Sequence, residues 1–336
     1  MKILIITQKI DLNDPVLGFF HRWVEEFAKN YEFVTVICLG KGEYNLPKNV
    51  KVLSLGKERK LGSLFYLWNF YKYLWQERRN YETVFVHMNQ EYVLLAGLWW
   101  RLTNKKILLW RNHPMGSWLT RLSVILANRV FCTSPQSFTA QFKKTKLMPA
   151  GIDTEMFRPM PEIKKILNSI LFFGRMSPIK RPHLLLEALA DLNKKGLDFI
   201  ADFIGDSGES REEREYYDNL KKIVKERDLE EKVFFYPGVS HDKAPIIFNQ
   251  HEIYVNLTPT GSFDKTILEA MSCDITPVVC NESLRGFLDT KYLLGELDSE
   301  SVAINLQNIL SQKKEVFRSC VKESHSLSLL IEKVLK

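Results

Sequence analysis

Arg175 and Lys180 stand five residues apart in GRMSPIKRPHLLLEAL, Gly174 to Leu189. The apolar run Ile170–Phe173 before them reads as a short strand, and an amphipathic helix begins at about Arg181. Two cations are thereby expected at the C-terminal end of a strand, beside a helix N-terminus. Free N–H groups and the helix dipole already favour an anion there. Arginine grips phosphate oxygens in a fork, and lysine adds a point charge. A diphosphate leaving group would suit such a place. On spacing alone, solvated surface charges account for the pair equally well.

A second stretch, NLTPTGSFDKTILEAMSCDITPVV, runs from Asn256 to Val279. The strand Ile253–Leu257 enters a polar turn containing Gly261, and a helix starts near Asp264. This is again a strand, a turn and a helix start with free amides. Glu269 interrupts the apolar face of that helix, between Leu268 and Ala270. Solvated helix carboxylates are common. One on the pocket side could instead accept two hydrogen bonds from a ribose diol.

Together the two stretches resemble the C-terminal half of nucleotide-sugar glycosyltransferases of the GT-B architecture, specifically glycosyltransferase family 4. Members carry a strand ending in Gly-Arg, a Lys five residues after the Arg, and a pair of Glu residues eight apart, the second within Leu-Glu-Ala-Met. Gly174, Arg175, Lys180 and Glu269-Ala270-Met271 match, and MPAGIDTEMFRP (Met148 to Pro159) resembles the interdomain segment. The resemblance is strong over residues 148–280 and thin over 1–130. It implies transfer with retention from a nucleotide-diphospho-sugar, with no metal ion and no separate cofactor. Arg175 and Lys180 would face the diphosphate, helped by backbone near Ser262, Phe263, Asp264, Lys265 and Thr266, while Glu269 would hold the ribose.

One position departs from the pattern. The first Glu of the pair should fall at 261, which is Gly261. In the family that Glu contacts the donor sugar, so sugar identity is open. Asp264 is three residues on and could approach the same space. Lys265 is unusual there and would add a third cation.

The resemblance implies further contacts. Gly18, in DLNDPVLGFFHRW, would let the first loop approach the donor phosphate. His113, in LLWRNHPMG, would face the sugar. Gly205 and Asp206 end FIADFIGD near the nucleotide, and Tyr236, Pro237, Gly238 and Val239 would lie along the base. Ordinary turns and structural histidines account for each of these residues as readily. His87 follows a strand and reads more as structural; Asn89, Gln90 and Glu91 beside it could line an acceptor pocket.

Those residues need a scaffold. Strand-like runs alternate with helical ones along the whole chain, which predicts an α/β protein with parallel sheets. Strands are expected near Ile3–Ile6, Val34–Cys38, Val52–Leu55, Val84–Val86, Ile107–Trp110 and Arg129–Thr133, then near Ile170–Phe173, Phe199–Ile204, Val233–Tyr236, Ile253–Leu257 and Pro277–Val279. Helices are expected between them, including Gly18–Asn30, Leu61–Arg79, Glu91–Leu102 and Arg211–Glu226. Two doubly wound Rossmann-like domains follow, facing a cleft with ligand at the strand C-termini. Residues 1–155 would form the acceptor-side domain and 156–336 the nucleotide-sugar domain, with the last helix packing back on the first.

At 336 residues the chain is long enough for two domains. Five scattered cysteines without a Cys-x-x-Cys pair argue against a zinc site or a disulfide framework and suit a reducing cytoplasm. The start MKILIIT is too short for a signal peptide and reads as a first strand. The longest apolar run, Tyr92 to Trp100, is nine residues, against the ~20 that span a bilayer.

Charge is uneven. Residues 1–150 hold 22 Lys+Arg and 10 Asp+Glu, a net of +12, and the remaining 25 and 30 give −5. The basic half suggests an anionic partner. No nucleic-acid motif accompanies it, so an anionic membrane surface or a phosphate-bearing, glycan or lipid-linked acceptor is expected instead. The segment Leu61–Arg79, with seven aromatics and three cations, reads either as an interfacial surface or as a core helix. The expectation is therefore a cytoplasmic glycosyltransferase, peripheral at the inner membrane face and acting on a cell-envelope or surface-glycan precursor. An epimerase or phosphorylase of the same architecture, a nucleotide-sugar binder without transfer activity, and a basic membrane or nucleic-acid module remain alternatives.

Overall fold

A computed structural model describes residues 1–336 except Pro15, Leu61, Glu209, Gly261, Ser262, Phe263, Glu296, Lys313 and Lys314. The chain divides into two units, Met1–Gly151 with Leu327–Lys336, and Ile152–Ser326. The crossing falls at Gly151/Ile152 rather than at the expected 155/156. The residues just after it are fastened to the second unit: Phe157 O accepts from Ser272 Oγ at 2.5 Å, and Arg158 O from Asn249 Nδ2 at 2.9 Å.

The first unit contains β1 (Lys2–Ile10), α1 (Phe19–Asn30), β2 (Phe33–Lys41), β3 (Val50–Ser54), α2 (Ser63–Glu77), β4 (Thr83–His87), α3 (Glu91–Leu102), β5 (Lys106–Trp110), α4 (Trp118–Leu126), β6 (Arg129–Cys132) and β7 (Thr145–Leu147). Its parallel sheet has the order β3-β2-β1-β4-β5-β6-β7. Alternate side chains of a strand point to opposite faces. Ile3 and Ile5 of β1 accordingly pack with Phe20, Trp23 and Phe27 of α1, whereas Leu4 and Ile6 pack with Phe70 of α2, Val93 and Trp100 of α3 and Val124 of α4. Cover on both faces explains why the strands read as unbroken apolar runs.

The second unit contains β8 (Ser169–Phe173), α5 (Pro182–Lys194), β9 (Ile200–Ile204), α6 (Arg211–Glu226), β10 (Val233–Tyr236), α7 (Ala244–Gln250), β11 (Ile253–Asn256), α8 (Lys265–Ser272), β12 (Thr276–Val279), α9 (Ser299–Leu310) and α10 (Arg318–His325). Its parallel sheet has the order β10-β9-β8-β11-β12. Pro277 is tolerated in β12 because that strand is at the edge. Local sequence fixes the helix starts. Pro182 opens α5, and Ser210 and Glu213 form a reciprocal capping box on α6. The last helix, α11 (Leu327–Leu335), returns to the first unit, where Leu330, Ile331 and Val334 join the core beside α1. No helix among the described residues is long and apolar enough to cross a membrane.

Candidate active site

In the second unit the first three strands build outward from β8, and the chain then returns to add β11 and β12 on its other side. Ligands of open α/β sheets bind outside the strand C-termini at such a reversal. β8 and β11 are the strands that lead into Arg175–Lys180 and into α8.

β8 ends at Gly174, whose φ of +139° favours glycine; a Cβ there would meet nothing within 4 Å. The end of β9 differs. Gly205 has φ +154°, and a Cβ on it would lie 2.0 Å from Gly174 O. The two strand ends therefore touch backbone to backbone. Gly174 N donates to Ile204 O at 2.9 Å and Gly205 N to Tyr236 O at 3.0 Å. Asp206 fastens the third end, its Oδ1 accepting from Gly238 N at 3.1 Å. Half-buried Val239 follows in the same turn.

Arg175 leaves this platform exposed, and among the described residues it makes no ion pair. Lys180 closes the single 3-10 turn Pro178–Lys180, and Arg181 follows at φ +54°. The left-handed residue marks the break before α5, which therefore starts at Pro182. Lys180 is half-buried and ion-paired with Asp264, so it is not the free cation that the spacing suggested.

Asp264 is the N-cap of α8. Its Oδ1 accepts from Thr266 N at 3.2 Å and Thr266 Oγ1 at 2.7 Å. Its Oδ2 accepts from Lys180, from Asn256 Nδ2 at 2.9 Å and from Thr258 Oγ1 at 3.3 Å. Tyr254 OH donates to Thr266 Oγ1 at 2.6 Å and accepts from Asn256 Nδ2 at 2.9 Å. Burial alone would raise the Asp264 pKa. The Lys180 charge and the hydrogen bonds from Lys180, Asn256 and Thr266 outweigh it and hold the carboxyl well below the usual carboxylate range. Asp264 is thus already committed, which leaves the expected sugar contact without an idle carboxylate. The expected help from the helix amides also narrows: Thr266 N is held by the Asp264 side chain and Ile267 N by its carbonyl at 3.3 Å.

One turn further on, Glu269 is buried and its Oε1 lies 3.3 Å from His241 Nε2. Lys265, four residues before Glu269, has its ammonium nitrogen out of reach of solvent. Burial pulls that amine down to about 7 although the Glu269 carboxylate opposes the shift. An incoming anion would favour its protonated form.

In the first unit Gly18 is the N-cap of α1 with φ −54°, an ordinary helical value. Its loop is shaped by Asp14, whose Oδ1 takes the N–H of Val16 at 2.9 Å and of Leu17 at 2.7 Å. His113 is exposed beyond β5. Its carbonyl accepts from Phe138 N at 2.9 Å and its Nδ1 from Met115 N at 3.1 Å. His87 is a core residue, stacked on Phe20 at 4.2 Å between centroids. The structure thus gathers Gly174, Arg175, Lys180, Gly205, Gly238, Val239, Asp264, Lys265, Thr266 and Glu269 at the strand ends of the second unit. In the first unit Gly18 lies at the start of α1 and His113 beyond the end of β5. Gly261, Ser262 and Phe263 fall outside the described residues. Sequence reasoning missed Tyr254, Asn256 and His241. The period-two spacing of Tyr254 and Asn256 on β11 was a usable signal. Among the described residues no group of three or more His, Cys, Asp or Glu could hold a metal ion.

Residues 153–290 match the family model described as glycosyl transferases group 1. The match takes in about two fifths of the chain, all of it within the second unit. It contains Arg175, Lys180, Asp206, Gly238, Asp264 and Glu269, the whole of the strand-end platform. A D-inositol 3-phosphate glycosyltransferase from Pseudarthrobacter chlorophenolicus is 26% identical over 152 residues, covering 42% of this chain and 35% of that protein. One from Kineococcus radiotolerans is 28% identical over 151 residues, covering 40% and 34%. The matched part is thus about a third of the length of these relatives. HepE of Anabaena in complex with UDP shares the fold with a TM-score of 0.78 at 18% identity, covering 100% of this chain and 98% of that one. A glycosyltransferase from Rickettsia africae does so with a TM-score of 0.75 at 16% identity, covering 99% and 97%. The fold around the matched segment is α/β of the GT-B type.

Proposed function

We propose that the protein is a retaining glycosyltransferase of the family 4 type. It moves a sugar from a nucleotide-diphospho-sugar to a cell-envelope or surface-glycan acceptor, without a metal ion. The observation that carries this reading is the meeting of Lys180 with the start of α8 at the sheet reversal, beside the exposed Arg175. The group 1 domain match supports it, as does UDP in the related fold of HepE. As the bond from the anomeric carbon to the diphosphate breaks, negative charge grows on the departing phosphate. Arg175 and Lys180 stabilise that charge, which is differential stabilisation of the transition state. Lys180 does so from a position set by Asp264. Glu269 accepts from the ribose, the Gly238–Val239 backbone lies along the base, and His113 contacts the sugar. Front-face transfer asks for no side-chain nucleophile. The +12 of residues 1–150 supports a cytoplasmic protein peripheral to an anionic membrane, where a lipid-linked acceptor would be found.

Arg175→Ala is the cleanest test because it breaks no ion pair within the described residues. With a labelled UDP-, GDP- or ADP-sugar it should lower turnover on the order of 100-fold, in EDTA as without it. Unchanged turnover, or complete loss of wild-type activity in EDTA restored by Mg²⁺, overturns the assignment. Gly261 in place of the paired Glu, with Asp264 committed elsewhere, favours one second reading: a relative that binds donor and transfers nothing. Tight donor binding with no product or sugar nucleotide rearrangement would select it.

A further inference from the structure

Helices α2, α3 and α4 form one layer on one face of the first unit's sheet and share a core through Phe70, Val93, Trp100 and Val124. Tyr71 OH of α2 donates to Leu95 O of α3 at 3.0 Å, and Gly97 of α3 packs against Leu126 of α4. The outward face of a surface helix is ordinarily polar, as on α6, whose exposed positions are charged apart from Asn219. Here it is not. Trp68 and Trp75 of α2, Leu98 and Leu102 of α3, and Trp118 and Ile125 of α4 each expose more than half of their surface. Scattered apolar residues need no explanation, but three adjacent helices turned outward this way form a patch.

Glu91 opens α3, but the charge along the rest of α3, α4 and the strands that follow them is positive. Between Tyr92 and Ile152 the chain has nine Lys or Arg and no Asp or Glu. Several meet at the N-terminal ends of β5, β6 and β7, where α3 and α4 finish. Arg101, Lys105 and Lys106 line a hollow there with Asn104 and Asn128. Lys144 Nζ donates to Ala127 O at 2.9 Å and Ile125 O at 3.2 Å, at the end of α4. None of these cations has an acidic partner among the described residues. Burial first, and then neighbouring cations, push the Lys106 and Lys144 amines down: Arg129 and Lys146 act on Lys106, and Arg101 on Lys144. The hollow is at the opposite end of the strands from His113, which follows the C-terminal end of β5.

We propose that this face docks on an anionic lipid bilayer. The outward apolar side chains of α2, α3 and α4 enter the interfacial layer, where tryptophan is favoured. The cations at the ends of β5–β7 take the lipid phosphates. Charge decides the occupant. A second copy would bring the same unpaired cations against one another and pay for like-charge contact, whereas a bilayer supplies the missing anions. The inference deepens the membrane location in the proposed function and rests on it, but it does not require sugar transfer.

The full chain is mixed with vesicles of phosphatidylcholine, alone or with phosphatidylglycerol, and sedimented. Binding is expected to the mixed vesicles, weakly to the neutral ones, and to fall as salt rises. Trp68→Ser with Leu98→Ser, and separately Arg101→Glu with Lys106→Glu, should each weaken it about tenfold or more. Neither pair should alter UDP binding, so a failed membrane face and a failed donor site are told apart. Brominated lipid should quench wild-type tryptophan fluorescence, a readout that needs no variant. No sedimentation with anionic vesicles at low salt, wild-type binding by both double variants, or no quenching in the bound state overturns the proposal. So does a dimer in solution that the Trp68/Leu98 variant abolishes while vesicle binding persists. Inhibition of binding by free inorganic phosphate at low concentration, at constant ionic strength, would reassign the hollow to a soluble anion and also overturn it.

Discussion

Five donors converge on the two oxygens of Asp264, from Lys180, Asn256, Thr258 and, twice, Thr266. Removing the carboxylate charge strands Lys180 and halves the helix cap. Asp264→Asn should cost about 2–3 kcal/mol at neutral pH, less than a fully buried pair because Lys180 keeps 24% of its side chain in water. Folding lowers the Asp264 pKa, so its contribution is whole above the unfolded value of roughly 4 and is lost as pH falls through the folded value. The gap between wild type and variant in urea unfolding should therefore shrink in acid. A gap that stays constant from about pH 7 to about pH 2 would show that the carboxylate charge contributes nothing. The placement of Arg175, Lys180 and Glu269 after β8 and β11 was legible because each sits at a fixed spacing within its own strand-to-helix segment. The Lys180–Asp264 pair was not, because its partners are 84 residues apart and meet only when β8 and β11 pair.

The strand-end turns carry a prediction about packing. Gly174 and Gly205 both have positive φ, but only Gly205 is pressed against backbone. Gly205→Ala must displace Gly174 O as well as bear an unfavourable φ, and should destabilise by about 3 kcal/mol or more. Gly174→Ala bears only the φ cost of about 1 kcal/mol. Thermal melts of the two variants should rank in that order; the reverse rank would mean that the close approach of the β8 and β9 ends is absent in solution. Most strands were readable because parallel strands covered on both faces are runs of Val, Ile, Leu and Phe. β7 was not, since Thr-Lys-Leu at a sheet edge carries no such run. The aromatic segment of α2 was ambiguous for a related reason. Phe70 and Leu74 face the core while Trp68 and Trp75 do not, and a helix apolar all round does not declare which face is buried.

At the scale of the whole chain, the doubly wound order of both sheets followed from the alternation of strands and helices, and the charge asymmetry was visible in composition. The last helix was expected to pack back on the first unit, and α11 does join that core, although LSLLIEKVL by itself would suit either. Deleting Leu327–Lys336 should uncover Trp23 and Phe27 and remove Leu330, Ile331 and Val334 from the first unit's core, each worth roughly 1.5–3 kcal/mol. Amide exchange should quicken in β1 and α1 while β8–β12 keep their protection; equal loss in both units, or none, would contradict the division. The same return sets a timetable for synthesis. The first sheet has all its strands once Leu147 has been made, yet α1 lacks its neighbour α11 until Leu335 follows. At roughly 5–20 residues per second that interval is on the order of ten to forty seconds. The second unit can fold and finish within it, so the half of the protein translated first is the half completed last, and the apolar flank of α1 that α11 will cover is what a nascent-chain chaperone would have to shield.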